Sequence, residues 1–217
     1  MTDTIVSYLL FIPPILLIIT IHEYAHGYIA LRMGDPTAQL AGRLTFNPIK
    51  HIDILGLLAF IFLRFGWAKP VPINPYNFRD VRKGTLYSSL AGPASNFLFA
   101  IPCGIILRFI PVDIVALWPL RGLIGACMMF SLILCVFNLI PIPPLDGSHI
   151  LFSILPPQYD NVKYVLERYG IFILLGLIML NAIGLPILSL WIWPFVMFFG
   201  RLFAGNAAFF AFLVEFF

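Results

Sequence analysis

The sequence predicts an all-α polytopic membrane protein of about five to six transmembrane helices, with short re-entrant or extended loop segments on the cytoplasmic side. Three observations carry that expectation. Hydrophobic residues make up 61% of the 217 positions and charged residues only 11%, against roughly 25% charge in an ordinary soluble domain. Apolar stretches near the length of about 20 residues that crosses a hydrocarbon core recur at 5–31, 86–110, 120–141, 163–181 and 185–204. Eight of the thirteen Lys and Arg lie between Arg32 and Lys83, which the positive-inside rule assigns to the cytoplasm.

The first stretch lacks a basic leader and carries Pro13-Pro14, so it reads as a retained span rather than a cleaved signal. It enters the basic connection and therefore runs inward. Within that connection, 52–65 is apolar but short, which suits a re-entrant segment or one packed inside the bundle. Trp67 to Pro75 is spaced by prolines and cannot be helix. It reads either as an edge strand offered to a substrate or as a loop sealing the cytoplasmic face. The second span, interrupted near its start by Gly92-Pro93, runs out, and the third returns to end near Asn138 to Asp146. Lys163 and Arg168 begin the fourth span on the cytoplasmic side and Arg201 closes the fifth there, so direction alternates; Arg108 and Arg121 are the exceptions. The tail 204–217 resembles 52–65. No stretch is left for an appended soluble domain, so residues 1–217 read as one domain. The basic charges are scattered among Pro, Gly and apolar residues, which fits contact with the lipid bilayer and not with nucleic acid. Phe, at 22 residues, reads as lipid-facing by default, and Cys103, Cys127 and Cys135 as packing thiols.

Three ionisable side chains inside the first apolar stretch are costly in a bilayer and mark a functional site. On a helix His22 and His26 project from one face and can share a metal ion, while Glu23, one position on, stands beside the site as a general base. Catalytic zinc takes three protein ligands and keeps one open position, so a third ligand must come from elsewhere. Asp146 is the leading candidate, in a segment where Pro141, Pro143 and Pro144 preclude a regular helix and Gly147 permits an unusual backbone angle. The competing role for Asp146 is the N-cap of a helix at 147–155. His149 is a weaker rival ligand, and His51 and Asp53 read as loop residues. Asn96 is either part of a close-packed kink or an amide aimed at the site, where it holds a peptide or stabilises the oxyanion.

Together these residues resemble the site-2 proteases, zinc metalloproteases that cut peptide bonds within the membrane, in the compact form without PDZ or CBS domains. The resemblance rests on His22-Glu23-Tyr24-Ala25-His26, Gly42 to Pro48 with His51-Ile52-Asp53, Gly66 to Pro72 with Asn74-Pro75, Gly92-Pro93 to Asn96, and Asn138 to Gly147. Ile54 departs from it, since members carry proline there. The resemblance implies that His22, His26 and Asp146 bind one Zn2+, that Glu23 is the catalytic base, and that Asn96 contacts substrate or transition state. The expected function is hydrolysis of transmembrane or membrane-associated protein substrates by a multi-pass protein of the cell membrane, with its active site toward the cytoplasmic half. The alternative is a metal-binding membrane protein or ion transporter without proteolytic activity, for which ionisable groups spread over several spans and paired repeats are expected.

Overall fold

The computed structural model describes residues 2–56 and 66–216. Helix α1 spans Thr2–Met33, and a single turn, α2, follows at Thr37–Leu40. The remaining long helices are α3 (Val81–Phe109), α4 (Trp118–Asn138), α6 (Asp160–Ala182) and α7 (Ile187–Ala204), with α5 (Asp146–Ile154) and α8 (Asn206–Phe216) as shorter ones. Five described helices are long and apolar enough to cross a membrane, covering Phe11–Met33, Val81–Phe109, Val115–Asn138, Asp160–Ala182 and Ile187–Ala204. The short apolar segment of the basic connection falls largely on 57–65, outside the described residues. The tail forms α8, whose Phe209 and Phe212 are fully buried.

Helix α3 is central and packs on α1, α4, α5 and α7. Lipid gives helices little hydrophobic reason to associate, so close packing through small residues does that work. Ala100, Cys103 and Leu107 of α3 meet Cys127, Met128 and Leu132 of α4, Val196 of α7 and the two α8 phenylalanines in one core. Gly200 admits α8: a Cβ there would come to 2.5 Å from the Phe209 ring. The lipid-facing assignment of Phe thus fails for this group, and Phe97 likewise packs against Phe199 with ring centroids 4.9 Å apart.

Helix direction departs from simple alternation. Helices α1 and α3 are antiparallel, since His26 meets Ser88 and His22 meets Asn96. Helix α7 runs parallel to α3. Its first turn, at Leu188, packs with Ile140 and Leu145 just beyond α4, and its last turn lies beside Gly104 and Arg108 at the far end of α3. Arg201 therefore sits at the end opposite the basic connection, where its guanidinium lies 4.8 Å from the Phe210 ring centroid. The two exceptional arginines are engaged as well. Arg108 donates to the carbonyl of Leu202 at 2.9 Å. Arg121 is buried, pairs with Glu215 and donates to Pro111 and Val112 carbonyls. Charges consumed by such contacts carry no information about sidedness.

Candidate active site

One helical turn separates His22 from His26 on α1, and both rings face α3 and α5. Their Nε2 atoms lie 2.9 Å apart, and Asp146 Oδ2 lies 3.2 Å from each. These three residues are the group of potential metal ligands found among the described residues. The arrangement of the two imidazoles and the carboxylate suits a shared cation. His26 Nδ1 lies 2.7 Å from the Ser88 carbonyl, which can only accept, so Nδ1 carries the proton and a neutral ring turns its Nε2 lone pair toward Asp146. Asp146 Oδ2 is buried and has no hydrogen-bond donor. Ligands at zinc bond lengths and tetrahedral angles stand roughly 3.3 Å apart, so the donor set and its spacing fit zinc.

Local sequence explains the convergence. Helix α3 continues through Pro93 instead of breaking there. Membrane helices tolerate proline where neighbouring groups satisfy the freed backbone, and the ring removes the N–H that would bind the Ser89 carbonyl. Gly92 brings α3 against both imidazoles, for a Cβ at this position would come to 2.6 Å from His22 Cε1 and would collide with His26. Asp146 opens α5 from its first turn while Leu145 takes the cap position, so its carboxylate is turned to the histidines rather than capping the helix. Gly147 does not adopt positive φ. Its use is close approach: a Cβ would lie 2.5 Å from the Ile140 carbonyl oxygen.

Glu23 is half-buried beside the cluster, and its Oε2 accepts the Val71 N–H at 2.8 Å. With Val71, Asn138 and His149, Glu23 and the cluster line a cavity of about 350 Å³. The segment from Trp67 to Asn74 has no helix and makes an antiparallel bridge between Ile52 and Ala68, whereas Pro75 opens a 3-10 turn, Pro75–Asn77. Lys69 N–H donates to the His51 carbonyl at 2.9 Å, Val71 N–H is taken by Glu23, and Pro70 and Pro72 have none. Within residues 69–72 both N–H donors are thus engaged inside the protein. Two buried side chains pin the segment. Arg43 donates to the Lys69 carbonyl at 2.8 Å, and Asp35 accepts Asn74 N–H at 2.7 Å and Asn77 Nδ2 at 2.8 Å. Burial alone would raise the Asp35 carboxyl, but hydrogen bonds from Thr37, Asn77 and Asn74 outweigh it and hold the group below the usual carboxylate range.

Known proteins bear on what such a site does. The family model described as "Peptidase family M50" matches residues 111–177, a span that contains Asp146. The "Putative zinc metalloprotease YwhC" of Bacillus subtilis is 35% identical over 181 residues, covering 81% of this chain and 80% of its own length. The chain belongs to peptidase family M50. "Putative zinc metalloprotease Rip2" of Mycolicibacterium smegmatis is 29% identical over 83% of this chain and 70% of its own length. "Zinc metalloprotease MJ0392" of Methanocaldococcus jannaschii is 26% identical over 81% of this chain but only 44% of its own length. No solved structure matches. This M50 chain is a multi-pass, membrane-embedded zinc metalloprotease with a protein substrate, and the family implies zinc as its metal.

Other residues singled out by sequence divide sharply in this M50 protein. Asn96, expected to contact substrate, is fully buried, and its amide lies 3.0 Å from His22 Nδ1. His149 lines the cavity but lies outside the metal group. His51 Nε2 meets the Thr45 carbonyl at 3.0 Å and Asp53 accepts Gly56 N–H, both loop roles as expected. The Ser88 carbonyl, the Val71 N–H, Arg43 and Asp35 escape sequence reading. For Ser88 and Val71 the acting groups are backbone atoms; Arg43 lies in the Gly42 to Pro48 motif without a role read for it, and Asp35 carried no signal beyond its charge.

Proposed function

We propose that this M50 protein cuts peptide bonds of transmembrane or membrane-associated proteins in the cell membrane, with residues 1–217 acting as one domain and the site toward the cytoplasmic half. The observation that carries the assignment of the site is the convergence of His22, His26 and Asp146 within 3.2 Å of one another, with Glu23 one residue from the first ligand. His22, His26 and Asp146 hold the metal. Zinc, when bound, acidifies water and polarises a peptide carbonyl. Glu23 takes the proton of the attacking water and returns it to the leaving amine. The Val71 N–H holds Glu23 by one oxygen, so the carboxylate is oriented before substrate arrives and its other oxygen remains for the proton. A helical substrate hides its carbonyls in i to i+4 bonds and must unwind locally to be cut. The membrane setting is supported by the ligand helix itself, since His22 and His26 lie within the candidate span Phe11–Met33. The cytoplasmic assignment is supported by the basic residues from Arg32 to Lys83.

Glu23→Gln tests the reading. The variant should retain one zinc per chain while hydrolysis of a membrane-embedded reporter falls by roughly 10²-fold or more. Full activity in that variant removes Glu23 as the base, and zinc uptake into vesicles by a wild type that never cleaves would replace proteolysis with transport.

A further inference from the structure

Two imidazoles converge on one metal site, and each must place its single proton on the outer nitrogen to keep Nε2 free. His26 meets this demand through the Ser88 carbonyl at 2.7 Å. For His22 the group at the same place is the carboxamide of Asn96, with Nδ2 3.0 Å from His22 Nδ1 and Oδ1 buried without a partner. A donor facing Nδ1 would force the proton onto Nε2, where it would oppose metal binding. In this orientation the amide also wastes Oδ1, which is buried without a donor, so nothing it gains opposes the requirement at His22. Rotating the amide by half a turn puts Oδ1 on Nδ1–H and leaves Nε2 as a lone pair beside those of His26 and Asp146.

We propose that Asn96 is a positioning residue that accepts the His22 Nδ1–H through Oδ1, fixing the tautomer and ring orientation in which His22 binds zinc. The inference rests on His22 being a ligand as assigned above. Its complete burial and its absence from the walls of the site cavity separate this role from a contact with substrate. Partners of this kind alter metal affinity by about 10- to 100-fold when removed.

Zinc affinity, measured by chelator competition on the full chain in detergent, tests it with two variants of similar size. Asn96→Asp keeps an acceptor oxygen and loses the donor, so it should bind zinc at least as tightly as wild type. Asn96→Leu loses the acceptor and should bind roughly 10-fold more weakly or worse. In apo protein labelled with 15N-histidine, the His22 signals should report an Nδ1–H tautomer in wild type and Asn96→Asp. A 10-fold loss in Asn96→Asp, or wild-type affinity in Asn96→Leu, overturns the proposal. Should Asn96→Leu fail to fold, Asn96→Asp and the tautomer still decide. Failure of the ligand assignment looks different: zinc binding in wild type would then be indifferent to His22→Ala.

Discussion

At the scale of single residues, the site depends on groups whose value lies in what they leave out. Gly92 has no side chain where the His22 and His26 imidazoles need the room. Adding one methyl group must push α3 away from α1 or rotate the rings, and overpacking of this kind costs about 1–3 kcal/mol. Gly92→Ala is therefore expected to lose zinc in dialysis against a chelator that wild type resists, while the far-UV spectrum stays helical. Retention of zinc at wild-type affinity would show that the close approach of α3 is not what sets the ligand geometry. Val71 acts by a backbone atom alone. Val71→Pro deletes the N–H that holds Glu23 and leaves an extended chain already flanked by Pro70 and Pro72. A hydrogen bond to a charged group is worth about 1.5–3 kcal/mol, so kcat should fall by roughly 10-fold or more with KM little changed and zinc retained.

At the scale of elements, the ligand helix was legible because its message is local. The four-residue spacing of His22 and His26 fixes a shared face on any helix, and an intramembrane position makes structural use of such residues expensive. Asp146 was legible only through the demand for a third ligand, and the details around it were misread: Gly147 serves close approach, and α3 runs through Pro93. What stayed hidden was how the clasp from Lys69 to Asn77 is held, because Arg43 and Asp35 each grip a backbone group distant in sequence, and the backbone half of such a pair leaves no trace in a residue pattern. The clasp makes its own prediction. Asp35→Ala removes the acceptor of Asn74 N–H and Asn77 Nδ2 and should cost about 3 kcal/mol or more, read as a lower Tm in detergent. Because the folded carboxyl is held below its usual range, its stabilisation is complete above the unfolded pKa and is lost as pH falls through the lowered folded value. The Tm curves of wild type and Asp35→Ala should then converge in strong acid; a constant gap would locate the effect in packing rather than charge.

At the scale of the whole molecule, composition predicted the helices and their lengths, whereas counting charges misplaced the end of α7. The positive-inside rule weighs loop charges that are free to interact with the membrane surface, and Arg108 and Arg121 are instead bound by the protein. Helix α4 ends, and α7 begins, in the half that holds the His22, His26 and Asp146 cluster, as the contacts of Leu188 with Ile140 and Leu145 require. The segment between them, α5 and α6, therefore makes no net transfer of the chain across the bundle. Strict alternation of five spans puts residue 206 on the same side as residue 40, whereas the parallel packing of α7 on α3 puts it with residue 115. Leu40, Val115 and Asn206 are exposed, and the native cysteines are buried. Single replacements Leu40→Cys, Val115→Cys and Asn206→Cys, probed in sealed vesicles of known orientation with a membrane-impermeant maleimide, separate the two arrangements. The packing predicts that the last two label from one side and Leu40→Cys from the other. Labelling of Asn206→Cys together with Leu40→Cys would restore the alternating topology and require α7 to leave its place beside Phe97 and Gly104.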